Sequence, residues 1–166
     1  MTIKHPRVFA ILLTLFINAP VFSQAADQPP AAGNAMHQAR VLLKFGREDI
    51  VKQEMRFSES ESAAFWPVYD RYQADMLPVR DRYADLLTSY LTAYRAGTVS
   101  EQMANQITDD YLDIQSDVLK IKRKHLKDFR KALPARKAAR FYQLENKMEL
   151  ELESQLAALV PLIDPV

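Results

Sequence analysis

The chain has 166 residues, 22 basic and 21 acidic side chains and no cysteine. The missing cysteine excludes disulfides, thiolate chemistry and lipid attachment at a cysteine, and the near-balance of charge means that only its distribution can point to a partner. Only three glycines occur, which with abundant Ala, Leu, Glu, Lys, Arg and Gln argues for helices throughout.

Lys4, His5 and Arg7 precede an apolar run from Val8 that is broken only by Thr14 before Asn18 and Pro20. Ser23-Gln24-Ala25 then offers small residues at the two positions that a signal peptidase reads. Residues 1–25 therefore read as a cleaved secretory signal peptide, since the run stops well short of the roughly 20 apolar residues that a membrane anchor needs. The expected location is periplasmic, with no transmembrane anchor. Removing Lys4 and Arg7 lowers the basic count from 22 to 20 against 21 acids, so the exported chain is close to neutral. Residues 26–34, rich in Pro, Ala and Gly, read as a disordered leader, and residues 35–166 as a single helical domain.

A first helix is expected from Ala35 to Met55, with Ala39, Leu42, Leu43, Ile50, Val51 and Met55 as its apolar residues. Gly46 is its weak point, because an interior glycine costs about 1 kcal/mol relative to alanine. From Phe57 to Tyr94 the large apolar side chains fall at Phe65, Tyr69, Tyr72, Met76, Val79, Tyr83, Leu86, Tyr90 and Tyr94, a nearly unbroken alternation of four and three. That spacing is one stripe down a long second helix. Ser58 with Glu61 reads as the capping box that starts it, and Gly97 supplies a residue tolerant of positive φ just past its end. Pro67 and Pro78 each remove a backbone hydrogen bond, but the stripe keeps its phase through both, so one bent helix is expected.

Thr98 with Glu101 reads as a second capping box opening a third helix, which carries Met103, Ile107, Tyr111, Ile114, Val118, Ile121, His125 and Phe129 and ends at Leu133. Two long helices joined by so short a turn must lie antiparallel. A fourth helix is expected from Pro134 to Val160, with Phe141, Leu144, Met148, Leu152, Leu156 and Leu159 on one side. The fold class is all-α: four helices, in which the second and third form a long bent antiparallel hairpin flanked by an N-terminal and a C-terminal helix. An internal echo accompanies it, FSESESAAFW from Phe57 against LPARKAARFY from Leu133, which aligns Ala63 with Ala139, Phe65 with Phe141 and Trp66 with Tyr142.

The starts of these two segments, Phe57-Ser58-Glu59-Ser60-Glu61 and Leu133-Pro134-Ala135-Arg136-Lys137, stand where the Spy/CpxP superfamily of periplasmic helical proteins carries its two L-T-x-x-Q motifs. The chain resembles that superfamily over about Val41 to Val160 in architecture, signal peptide and motif placement. The first segment keeps a hydroxyl but lacks the leucine and the glutamine, and the second keeps only the leucine. The wording FWPVYDRYQ at Phe65 to Gln73 and ARFYQLENK at Ala139 to Lys147 is similar to that of exported proteins that look like a divergent branch of the same fold. The resemblance implies a curved, homodimeric, ATP-independent chaperone or an envelope-stress accessory.

The most informative charge feature lies along the third helix. Ten basic residues fall between Lys120 and Arg140, with Asp128 the only acid among them, while Glu101, Asp109, Asp110, Asp113 and Asp117 precede them with no base. One reading is structural: acids at the start and bases at the end complement the helix dipole, and the bases pair with Glu145, Glu149, Glu151 and Glu153. The other is functional: Lys120, Lys122, Arg123, Lys124, Lys127, Arg130 and Lys131 steer acidic unfolded clients or an anionic lipid surface, and Phe65, Trp66, Tyr69, Tyr72 and Tyr83 contact them. A signal peptide argues against nucleic acid as the partner. Aromatic residues at helical spacing are also what a core or a dimer interface needs, so both readings of the tyrosines stand.

Catalytic residues are not found. No G-x-S-x-G or glycine-rich phosphate loop occurs, and Asp109 and Asp110 fall in a solvated helical run. With His37 and His125 the only histidines after the signal, no metal site or cofactor is expected within one subunit. Three functions are carried forward: a chaperone-like binding protein for unfolded or envelope proteins, a module that binds one specific envelope partner, and a metal-responsive protein in which His37 and His125 meet across a dimer.

Overall fold

The computed structural model describes residues 47–165. They form α1 (Arg47–Met55), α2 (Glu59–Arg95), α3 (Glu101–Ala132) and α4 (Ala135–Ala157), with no strand among the described residues. The signal peptide, the leader, His37, Gly46 and the 35–46 part of the first expected helix lie outside the described residues. No helix among the described residues is long and apolar enough to cross a membrane.

Ser58 starts α2 as expected. Its hydroxyl accepts from Glu61 N at 3.3 Å, and Glu61 Oε2 accepts from Ser58 N at 2.8 Å, which closes the reciprocal box. The helix then runs unbroken through Pro67 and Pro78. Those prolines lie eleven positions apart on one exposed face, as do Ala63 and Ala74 one turn earlier, so the carbonyls deprived of a partner sit where water reaches them.

Gly97 ends α2 with a φ of 63°. Gly97 N donates to Tyr94 O at 3.0 Å and Thr98 N to Ala93 O at 2.9 Å, the paired bonds of a Schellman stop. This corrects the expected start of the third helix. Thr98 is occupied in stopping α2, its hydroxyl also donating to Ala93 O at 3.3 Å, and Ser100 caps α3 instead by accepting from Met103 N at 3.2 Å. At the other end Leu133 is extended (φ −132°, ψ 149°), as a residue before proline prefers, and that breaks α3 from α4. α4 stops at Ala157 rather than Val160, short of Pro161, which could not continue it.

Contacts between α2 and α3 run in opposite order: Phe65 meets Phe129, Asp75 meets His125, Arg82 meets Asp117 and Tyr83 meets Tyr111. The hairpin is therefore antiparallel. α4 folds back along it, with Phe141 beside Phe65 and Phe129 at one end and Leu156 beside Leu87 and Leu91 at the other, while α1 packs on α4. The two apolar clusters divide accordingly. The larger joins Val51, Met55, Phe65, Tyr72, Met76, Phe129, Leu133 and Phe141; the smaller joins Ala84, Leu87, Tyr90, Leu91 and Leu156. The internal echo has a spatial counterpart, since its aligned Phe65 and Phe141 rings meet edge to face at 5.1 Å.

Candidate functional site

The outer face of α3 is where apolar and basic side chains are left together. Leu112, Leu119 and Leu126 recur at intervals of seven, nearly two helical turns, and so form one stripe. Leu112 is 58% exposed and Leu119 49%, a cost in apolar hydration that α3's amphipathic inner face does not explain. Leu119 and Leu126 turn toward Ala135, Ala138, Ala139 and Tyr142 of α4, and together with Lys122, Arg123 and Arg130 they line a groove of about 570 Å³. The alanines keep its floor low because they project only a methyl group. The Tyr142 hydroxyl donates to Lys122 O at 2.9 Å, and burial, followed by the charge of Glu145, pushes this phenol up to about 12.

The basic segment separates into two populations. Lys120 pairs with Asp117 at 3.0 Å, Lys124 with Asp75 at 2.8 Å and Lys131 with Asp128 at 3.9 Å, while Lys122 forms an ion pair with Glu149. Arg123, Lys127 and Arg130 have no ion pair among the described residues and are exposed. These three recur at spacings of four and three and so share one helix face, from which Arg123 and Arg130 line the groove. Of the four glutamates of α4 that the dipole reading supplies as partners, only Glu149 pairs with α3. Glu145 is held by Arg47 of α1, and α2 contributes Asp75 and Arg82 to the α3 ion pairs. The Lys124 and His125 hydrogen bonds hold the Asp75 carboxyl below the usual carboxylate range.

The aromatic residues are placed differently from the bases. Phe65 and Tyr72 have no exposed surface and Tyr69 is 3% exposed, so their rings belong to the core rather than to a surface that a client could touch. Trp66 is partly buried beside them, its Nε1 donating to Ser62 Oγ at 2.9 Å and its ring facing Lys52. Tyr83 lines a second open groove, of about 770 Å³ near the hairpin turn, where Leu86, Tyr90, Ile107, Tyr111 and Leu156 meet the tail residues Pro161 to Ile163. Tyr90 fixes that tail by donating its hydroxyl to Pro161 O at 2.7 Å.

His125 is buried, with Nε2 2.6 Å from Asp75 Oδ2 and its ring edge-on to Tyr72. No group of three or more His, Cys, Asp or Glu among the described residues is placed to hold a metal ion. The expected meeting of His125 with His37 lies outside the described residues. No family model, curated protein or solved structure matches the chain.

The structure thus brings Lys122, Arg123 and Arg130 into one groove, with Lys127 on the same helix face as Arg123 and Arg130, and leaves Lys120 and Lys131 in ion pairs within α3 and Lys124 in one with Asp75 of α2. Sequence reasoning missed Leu119, Leu126, Ala138 and Tyr142. The signal for them was present in leucines seven apart interleaved with bases, and in the small residues of ARKAARFY.

Proposed function

We propose that the chain is an exported, ATP-independent binding protein of Spy/CpxP type that holds non-native envelope proteins in the groove between α3 and α4. One observation carries this reading: an open apolar groove lined by Arg123 and Arg130, with Lys127 between them on the same helix face, three cations with no ion pair among the described residues. The two features act at different ranges. Uncompensated positive charge attracts acidic segments over about 10 Å at moderate salt and raises the encounter rate. Leu119, Leu126 and the Tyr142 ring then gain from covering apolar surface, which requires no defined client sequence. Release follows from the same weakness, since neither contact depends on a bound nucleotide or a broken bond. Homodimer formation in the periplasm belongs to the same proposal.

A second reading, a module that docks one specific envelope partner, is supported by the aromatic groove around Tyr83, Tyr90 and Tyr111. Aggregation of two unrelated unfolding proteins, followed by light scattering with the purified chain and no ATP, separates the readings. Near-stoichiometric protection of both supports the chaperone; protection of neither removes it and directs the search to one partner.

A further inference from the structure

A separate, smaller cavity lies where α1 meets α2, away from the groove of α3 and α4. Tyr69, Gln73 and Arg80 recur along one face of α2 at spacings of four and seven. With Arg47 of α1 they line a space of about 350 Å³, at the lower end of small-ligand sites. Glu48 and Asp70 also line it, but both are exposed, so water screens their charge.

The polar groups of this cavity are out of balance. Arg80 Nη1 donates to Gln73 Oε1 at 2.5 Å, whereas Arg80 Nη2 is closed off from solvent and has no partner. No carboxylate among the described residues forms an ion pair with Arg80. Glu145 acts on it only at longer range, because Glu145 Oε2 is taken by Arg47 Nη1 and by the Tyr72 hydroxyl, each at 3.1 Å. The Tyr69 hydroxyl and Gln73 Nε2 are likewise buried without a partner, on a tyrosine that is 3% exposed. Three donors, one of them cationic, therefore lack an acceptor around one cavity. Glu145 Oε1 is buried and unpartnered as well, but it belongs to the carboxylate that Arg47 and Tyr72 already hold. Folded chains rarely leave buried donors unpaired, and the Arg80 side chain, only partly exposed, has Glu145 and Glu149 within electrostatic range but no carboxylate paired to it among the described residues. Water could complete the hydrogen bonds, but it supplies no paired negative charge. An anionic acceptor does both.

We propose that this cavity binds a small oxyanion, a carboxylate or a phosphate group, with Arg80 as its charge partner and Tyr69 and Gln73 as neutral donors. The assignment is independent of the chaperone reading, because it uses none of the α3 bases. A guanidinium and two neutral donors match an acceptor-only group better than they match a cation or an apolar ligand.

The test uses the purified full chain at pH 7, titrated with sodium acetate and with sodium phosphate against sodium chloride at matched ionic strength. Calorimetry reads the binding and circular dichroism reads the thermal midpoint. Saturable binding with a raised midpoint is expected from at least one oxyanion and not from chloride; acetate acting alone marks a carboxylate ligand, and phosphate acting alone a phosphate ester. Arg80→Met should abolish saturation, at least a tenfold loss, while its anion-free midpoint equals or exceeds that of the parent, since a partly buried cation with no ion pair among the described residues has been removed. Tyr69→Phe keeps the ring and its packing, and should weaken binding several-fold; if Arg80→Met does not fold, this variant and Gln73→Leu decide the matter. Shifts no different from chloride, or parental affinity in Tyr69→Phe and Gln73→Leu, would overturn the assignment and leave the donors to water.

Discussion

Arg47 Nη1 lies 3.1 Å from Glu145 Oε2, and the pair joins α1 to α4 across 98 positions of sequence with both side chains buried. Burial pushes the Glu145 carboxyl up, and the charges of Arg47 and then Arg80 pull it back. Arg47→Met leaves a buried carboxylate without its cation, and should cost about 3–5 kcal/mol at neutral pH. A carboxyl raised in the native state holds its proton more tightly there than in the unfolded chain, so its stabilising contribution is complete below the unfolded value and is lost as pH rises. The deficit of the variant should therefore be larger at pH 8 than at pH 5. Urea unfolding at the two values checks it; an equal deficit means that Glu145 does not carry the effect.

Phe65 has no exposed surface and meets the rings of Phe57, Trp66, Tyr69, Phe129 and Phe141 at centroid distances between 4.5 and 5.5 Å. Phe65→Ala should cost about 3–5 kcal/mol, as large cavities in a core do. Leu119→Ala, on the open groove, should stay within about 0.5 kcal/mol of the parent yet reduce protection of unfolding proteins. Denaturant midpoints and light scattering on the same two samples test the distinction between a ring that supports the fold and a leucine left for a partner.

Asp75 accepts from Lys124 at 2.8 Å and sits 2.6 Å from His125 Nε2. Because these bonds hold its folded pKa below the ordinary value, its stabilising contribution is present above the unfolded aspartate range near 4 and is lost as pH falls through the folded value. The advantage of the parent over Asp75→Asn should be full at pH 6 and shrink steadily toward pH 3. Thermal midpoints of both proteins across that interval measure it, and a constant gap would count against the pair.

Replacing Arg123, Lys127 and Arg130 together by glutamine removes three charges that have no ion pair among the described residues. The fold should be unchanged by circular dichroism, because exposed substitutions of this kind cost little. Client protection at low salt should fall several-fold and become nearly insensitive to added salt. The same exchange at Lys120, Lys124 and Lys131, whose charges are paired, should affect protection less. If both triple variants protect as the parent does, electrostatic steering through α3 is wrong.

Gly97 has a φ of 63° and open space around the position where a side chain would start. Gly97→Ala should cost about 1 kcal/mol through backbone strain alone, with Gly97→Asn less costly, as chemical denaturation can show. A neutral alanine would mean that the turn adopts another geometry in solution.

Local sequence patterns are enough to specify the long helices and their hairpin. The stripe from Phe65 to Tyr94, the Ser58 box and Gly97 are local patterns, and backbone hydrogen bonding within a few residues is enough to realise them. Even there, Thr98 and Ser100 compete for one role within three positions, and the bonds that stop α2 decided between them. Which charges are paired, which rings are covered and where donors go unmet depend instead on how the helices pack. Arg123 and Lys124 are neighbours in sequence, but helical geometry turns one toward the groove and the other toward Asp75. Likewise Glu145 reads as one of several glutamates on α4, and its burial follows from Arg47 and Tyr72 arriving from two other helices. Such properties depend on what packs opposite a side chain, and a periodicity records only that a face is covered, not by what.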